Sequence, residues 1–157
     1  MEMVNVLASA DDKAAFFKKI PDSLKVIKEY RQRLLDDKIP IWDLIIKKRL
    51  SKPPEKYTQK VSQLIAAEQL IKEGVEVSAG KSVKFLFTSA KNKRYNRRVR
   101  AKDLIEKGTN ADVKKYLLLL YSAASNILSP FGYNEKEVHD YVRGFEKSKL
   151  IKYCFEG

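Results

Sequence analysis

Cys154 is the only cysteine in the chain. No intrachain disulfide can form, which fits an intracellular, cytoplasmic setting. His139 is the only histidine, so a His/Cys metal cluster at usable spacing is excluded, and a Cys–His nucleophile pair would have only Lys152 nearby to activate the thiol. Long apolar runs are also missing: the strongest, Tyr116 to Leu120 continuing to Ala124, is too short to span a bilayer, and the N-terminus lacks the basic start and apolar core of a signal peptide. The remaining absence is local. From Lys81 to Lys102 there is no carboxylate, while Lys81, Lys84, Lys91, Lys93, Arg94, Arg97, Arg98, Arg100 and Lys102 are all basic.

That run supplies most of a formal net charge of +12 in 157 residues. Blocks of like charge repel one another, and a polyanionic partner such as a phosphate backbone is one reason to keep them. A solvated surface loop in a lysine-rich protein is the other, and charge alone leaves the two readings open. A second strip, Lys47-Lys48-Arg49 followed by Lys52, Lys56 and Lys60 with Tyr57 between, strengthens the first reading. Basic side chains, backbone amides, and Ser, Thr, Tyr or Asn hydroxyls or amides are what meets phosphates without reading bases.

The periodicity predicts an α+β fold, mostly α. Asp11 and Asp12 are placed to cap a short helix carrying Ala15, Phe16 and Ile20, and Pro21 should interrupt it. A second helix is expected from Asp22 or Ser23 to Asp37, with Leu24, Ile27, Tyr30, Leu34 and Leu35 inward and Lys25, Lys28, Arg31 and Arg33 towards solvent. Ile41 to Leu50 suits either a short buried strand or a helix. Val61 to Glu73 reads as an amphipathic helix stopped by Gly74. Val75 and Val77, then Val83, Phe85 and Phe87, alternate around Ala79-Gly80, which predicts a small hairpin or two short strands running straight into the basic loop. Asp112 opens a helix over Val113 to Leu128, and Asn134 with Glu137 has capping-box spacing for a last short helix.

Gly80-Lys81-Ser82 does not make a phosphate-binding loop. The glycine needed five positions earlier is replaced by Val75, and the following Val83 to Phe87 reads as strand where helix is required. The acid pairs Asp11/Asp12 and Asp36/Asp37 sit at helix ends, so no carboxylate constellation for metal-assisted chemistry emerges. No catalytic residue and no cofactor are expected in the chain itself, and its function reads as binding.

Three blocks in order carry a resemblance. The first is Ile39-Pro40 through Leu50, then Pro53-Pro54-Glu55-Lys56-Tyr57, then Ala66-Ala67-Glu68-Gln69-Leu70 ending Glu73-Gly74. The second is Val75 to Val83 running into Phe85-Leu86-Phe87, with Ala79 at a usual proline. The third is Asp112 to Tyr116 with Asn126-Ile127-Leu128-Ser129-Pro130-Phe131-Gly132-Tyr133. Together they resemble the thumb domain of archaeal family B DNA polymerases. Departures are Leu117-Leu118-Leu119-Leu120, where that family carries polar residues including a glutamine, and the loop Lys91 to Arg100, which is far more basic.

The resemblance implies a division into N-terminal helices (1–38), a duplex-binding core (39–133) and a C-terminal helix and tail (134–157). It implies a non-catalytic thumb that grips primer–template duplex DNA, with Lys56, Thr58, Gln59 and Lys60 meeting the primer backbone. Lys47, Lys48, Arg49, Lys91, Lys93, Arg94, Arg97, Arg98 and Arg100 would extend the positive field. If about six phosphates are neutralised, log affinity should fall with log salt at a slope of roughly −5. Beginning just before the thumb, the chain fits either a separate subunit of a split polymerase or a recombinant fragment. As a subunit it needs a catalytic partner bearing palm and fingers, met through Met3, Val4, Val6 and Leu7 of the first ten residues. Lys147 to Phe155, with Leu150 and Tyr153, is similar to a sliding-clamp-binding peptide, but Lys147 replaces the usual glutamine and only one of two aromatics is in place, which favours an ordinary tail. The competing class is a stand-alone basic RNA- or ribosome-associated protein with Tyr95 in an arginine-rich arm.

Overall fold

The computed structural model describes residues 2–9 and 13–143. It is mostly helical with one small antiparallel sheet, the α+β class expected. The chain forms two compact units, 1–38 with 117–157, and 39–116. The capping of a first helix by Asp11 and Asp12, and the tail with Leu150, Tyr153 and Cys154, lie outside the described residues.

The helical unit contains α1 (Glu2–Ala8), α2 (Lys13–Leu35), the part of α4 (Val113–Leu128) from Leu117 onward, and α5 (Glu135–Val142). Its core joins Met3, Leu7, Ile20, Leu24, Ile27, Tyr121, Ala124, Leu128, Tyr133, Val138 and Val142. Pro21 does not interrupt the helix as expected, because α2 runs through it. An interior proline costs about 3 kcal/mol. Ile20, Leu24 and Ile27 on either side are buried, and each is worth about 1.5–3 kcal/mol if kept there, so packing outweighs the proline. Buried Ser23 donates its hydroxyl to the Ile20 carbonyl at 2.7 Å within that turn. Pro21→Ala should therefore stabilise the unit, by about 1–2 kcal/mol in a denaturation experiment, because it restores the missing amide donor.

α2 stops at Leu35, two residues before the expected end. Asp37 takes a left-handed φ of 54°, and the Lys38 amide donates back to the Arg33 carbonyl at 2.9 Å. This is a glycine-type helix ending made without glycine, tolerable because aspartate enters that region more readily than most residues. The break leaves Leu35 exposed instead of inward. Arg31, expected in solvent, is half-buried and donates from Nε to the Tyr121 hydroxyl at 3.0 Å. At the other end the capping box is present: Asn134 accepts from the Glu137 amide, and the Glu137 carboxylate accepts from the Asn134 amide.

In the second unit, Ile41 to Leu50 holds a strand, but one that is half-buried or exposed where a buried strand or a helix was expected. A 3-10 turn over Ile41–Leu44 leads into strand β1 (Ile46–Arg49). Helix α3 (Ser62–Lys72) packs on strands β2 (Ser82–Phe87) and β3 (Val99–Ala101), and the sheet order is β1-β2-β3, antiparallel throughout. Leu64, Ile65, Ala66, Ala67 and Leu70 bury against the face carrying Val83, Phe85, Phe87, Val99 and Ala101.

The hairpin expected around Ala79-Gly80 is not there. β2 pairs with β1 at Ile46↔Phe85 and Lys48↔Val83, whereas Val75 belongs to the helix ending: its amide donates to Leu70 at 3.0 Å while Gly74 sits at φ 84°. A valine spent on closing a helix cannot also start a strand. Gly80, at φ 81°, brings its amide to the Leu50 carbonyl at 2.8 Å, and its own carbonyl accepts from Arg49 Nε at 2.9 Å. A Cβ there would stand 3.2 Å from the end of the exposed Arg49 side chain, which can shift, so it is the positive φ that favours glycine.

Candidate nucleic-acid interface

β-strand alternation divides the first cationic strip. Side chains of consecutive strand residues point to opposite faces, so Lys48, paired with Val83, lies on the α3 side, while Lys47, paired with Lys84, lies on the other. The basic run is divided too. It is not one loop: Tyr95–Arg97 form a 3-10 turn and Arg100 lies in β3.

On the α3 side these pieces converge. A groove of about 340 Å3 is lined by cations from four segments: Lys48 of β1, Lys60 before α3, Arg98 before β3, and Lys115 in the first turn of α4. Val61, Ser62, Gln63 and Ile65 at the start of α3 complete its wall, with Phe87 and Ala90. The helix is opened by Val61, which offers no side-chain cap, and its first turn carries no acidic residue. The first amides of α3 thus keep their positive end of the helix dipole available to an outside acceptor.

Three of the four groove cations are held by neighbours. Lys60 pairs with Glu68 and lies over the Tyr95 ring at 4.8 Å; hydrogen bonding to that carboxylate raises its pKa, so it stays charged. Arg98 donates from Nε to the Asn92 carbonyl at 2.8 Å. Lys115 lies over the Phe87 ring at 5.1 Å. Asp112 fixes the phase of that last helix, since its carboxylate accepts from the Lys115 amide at 3.1 Å and from the Ala90 amide at 2.8 Å. Tyr116 follows, accepting from the Phe87 amide at 2.9 Å and donating to the Leu44 carbonyl at 2.8 Å. Its burial pushes the phenol up to about 12.

The other expected contacts are placed differently. Lys56, Thr58 and Gln59 are exposed on the approach to α3 but are not among the groove-lining residues. Lys91, Lys93, Arg94 and Arg97 are exposed and are not among the groove-lining residues. Arg100 is half-buried, held by the Leu104 carbonyl at 2.8 Å and by Glu106 at 3.3 Å. Arg49 is tied to Gly80. Of the expected docking residues, Met3 and Leu7 are only 3% and 5% exposed, because the helical core consumes them; Val4 is exposed and Val6 half-buried.

Sequence reasoning missed Lys115 and Gln69. Gln69 lies on α3, donates Nε2 to the Asn96 and Val99 carbonyls at 2.9 Å each, and accepts the Ala101 amide on Oε1 at 2.8 Å. It ties α3 to the segment carrying Arg98. A glutamine on the half-buried flank of an amphipathic helix is the available signal, but its partners lie about thirty residues away. Among the described residues, no three His, Cys, Asp or Glu side chains gather to hold a metal ion, and no helix is long and apolar enough to cross a membrane.

The family model of DNA polymerase family B matches residues 2–131. Among solved structures, the chain is similar to the family B DNA polymerase from the hyperthermophilic archaeon Pyrobaculum calidifontis, with a TM-score of 0.66 and 22% identity. That match covers 85% of this chain and 17% of the polymerase chain, so it is a likeness of fold over a minor part of a longer protein. No curated protein matches. A match that takes in most of the helical and sheet elements described above fixes the family: this chain belongs to DNA polymerase family B.

Proposed function

We propose that this chain is a thumb, gripping primer–template duplex through sequence-independent phosphate contacts and completing a partner that bears palm and fingers. The observation that carries the reading is the convergence of Lys48, Lys60, Arg98 and Lys115 with the uncapped start of α3 on one groove. A replicating enzyme must hold any sequence, and lysine, arginine and helix-terminal amides hold phosphates without reading bases. The groove is the principal contact in this reading, and Lys56, Thr58 and Gln59 flank it. The palm-bearing partner would be met by apolar side chains that the helical unit leaves exposed, Val4 among them and Leu118 and Leu119 on α4, since Met3 and Leu7 are committed to the core.

Binding of labelled duplexes of unrelated sequence, followed by anisotropy across a salt series, tests this. Equal affinities are expected, with log affinity falling at a slope of about −3.6 if four cations each neutralise one phosphate. Preference for RNA at matched salt would favour the RNA- or ribosome-associated alternative. Affinities that depend on duplex sequence would defeat the thumb reading.

A further inference from the structure

The face of the sheet turned away from α3 carries a second cationic surface. There Lys47 of β1 stands directly opposite Lys84 of β2 in the strand register. Like charges at directly opposed positions destabilise a sheet, and neither lysine has an ion-pair partner among the described residues. Lys102, from the 3-10 turn after β3, lines the same groove of about 450 Å3, again without an ion-pair partner among the described residues. The remaining wall is Trp42 and Ile45, from the segment entering β1. Trp42 is the most exposed of the large hydrophobic side chains among the described residues, at 57%, and it is the only tryptophan in the chain. The groove lining contains no carboxylate.

We propose that Trp42, Lys47, Lys84 and Lys102 form a binding site for single-stranded nucleic acid. Three lysines without carboxylate partners place positive charge where a phosphate backbone would relieve the Lys47–Lys84 repulsion. An exposed indole beside them offers the flat apolar face on which an unpaired base stacks. Aromatic platforms flanked by a cationic track are how sequence-tolerant binding of single strands is achieved. A duplex cannot use the indole in this way, because its bases are already stacked on one another. An acidic peptide would satisfy the lysines but would leave the indole uncovered. The site lies on the opposite face from Lys48 and its groove, so its contacts are separate from those of a duplex bound there.

The sole tryptophan is its own reporter. Titrating the full chain with oligothymidylate should quench tryptophan emission saturably, while a blunt duplex of equal charge should not. With a labelled oligothymidylate, Trp42→Ala should weaken binding about tenfold, within the range that stacking of one base contributes, and Trp42→Phe should keep most of the affinity. Lys84→Ala should reduce the magnitude of the salt slope by about 0.7. Duplex affinity should be unchanged in Trp42→Ala, and circular dichroism should show the wild-type fold, as suits an exposed position. Quenching by the duplex as strong as by oligothymidylate, quenching by polyglutamate but not by oligothymidylate, or no quenching by any of them would each overturn the proposal.

Discussion

Replacing Lys48 and Lys115 together by glutamate will weaken duplex binding by about a hundredfold or more at 0.1 M salt, equally for every sequence. A cation that no longer meets its phosphate forfeits the release of about 0.9 counterion, close to one log unit of affinity at that salt. Two such cations account for roughly sixtyfold by the same relation, and reversing their sign adds repulsion. The two residues come from β1 and α4, far apart in sequence, yet line one groove, so their joint effect tests the groove itself. Arg94 and Arg97 are the natural comparison. They belong to the densest part of the basic run but are exposed and do not line the groove, and water and salt screen them. Their double reversal should weaken binding by less than about tenfold. Equal effects for both pairs would move the interface to the loop. Lys115→Gln serves as control for the cation–ring interaction with Phe87, which should be worth no more than about 1 kcal/mol of stability.

Gln69→Leu will destabilise the sheet-containing unit by about 3 kcal/mol, although leucine is a better helix former and a similar size. The substitution leaves the Asn96 and Val99 carbonyls and the Ala101 amide without the partner each now has. Each buried polar group left unsatisfied costs about 1–3 kcal/mol; the bonds to Val99 and Ala101 are part-buried and the one to Asn96 is exposed, so the first two carry most of the loss. Ala101 and Val99 themselves are fully buried, so water cannot easily take over. Urea denaturation measures the destabilisation. Hydrogen exchange should localise it to Val99–Ala101 and the preceding turn, the segment that carries Arg98. Gln69→Glu should be as damaging at neutral pH, since a carboxylate would face two carbonyl oxygens. A destabilisation below about 1 kcal/mol for both variants would show that α3 is held to β3 by apolar packing alone.

The helices were largely legible because their signals are local. Asp112 and the Asn134/Glu137 pair announce helix starts, and Gly74 announces an end, through chemistry contained within a few residues. Failures came where distant packing decided. Pro21 reads as a break until Ile20, Leu24 and Ile27 are seen to share one core. Val75-Glu76-Val77 has the period of a strand, but a strand also needs a partner, and β2 found β1 instead. The candidate site followed the same rule. The positive charge was visible as residue counts, whereas its distribution was not, since it depends on which neighbour in Lys47-Lys48 faces α3 and on where Lys115 falls after Asp112. Both are questions of register, and composition carries no register.

Lys47 and Lys48 serve two faces from adjacent positions of a four-residue strand, and faces so close together cannot be electrostatically independent. A polyanion seated on one face lowers the potential available to a second on the other, and the penalty is reciprocal whichever arrives first. The coupling should fade as salt shortens the screening length towards the thickness of the sheet. At low salt the unit would behave as a molecular either-or, and at higher salt as two weak sites that ignore each other.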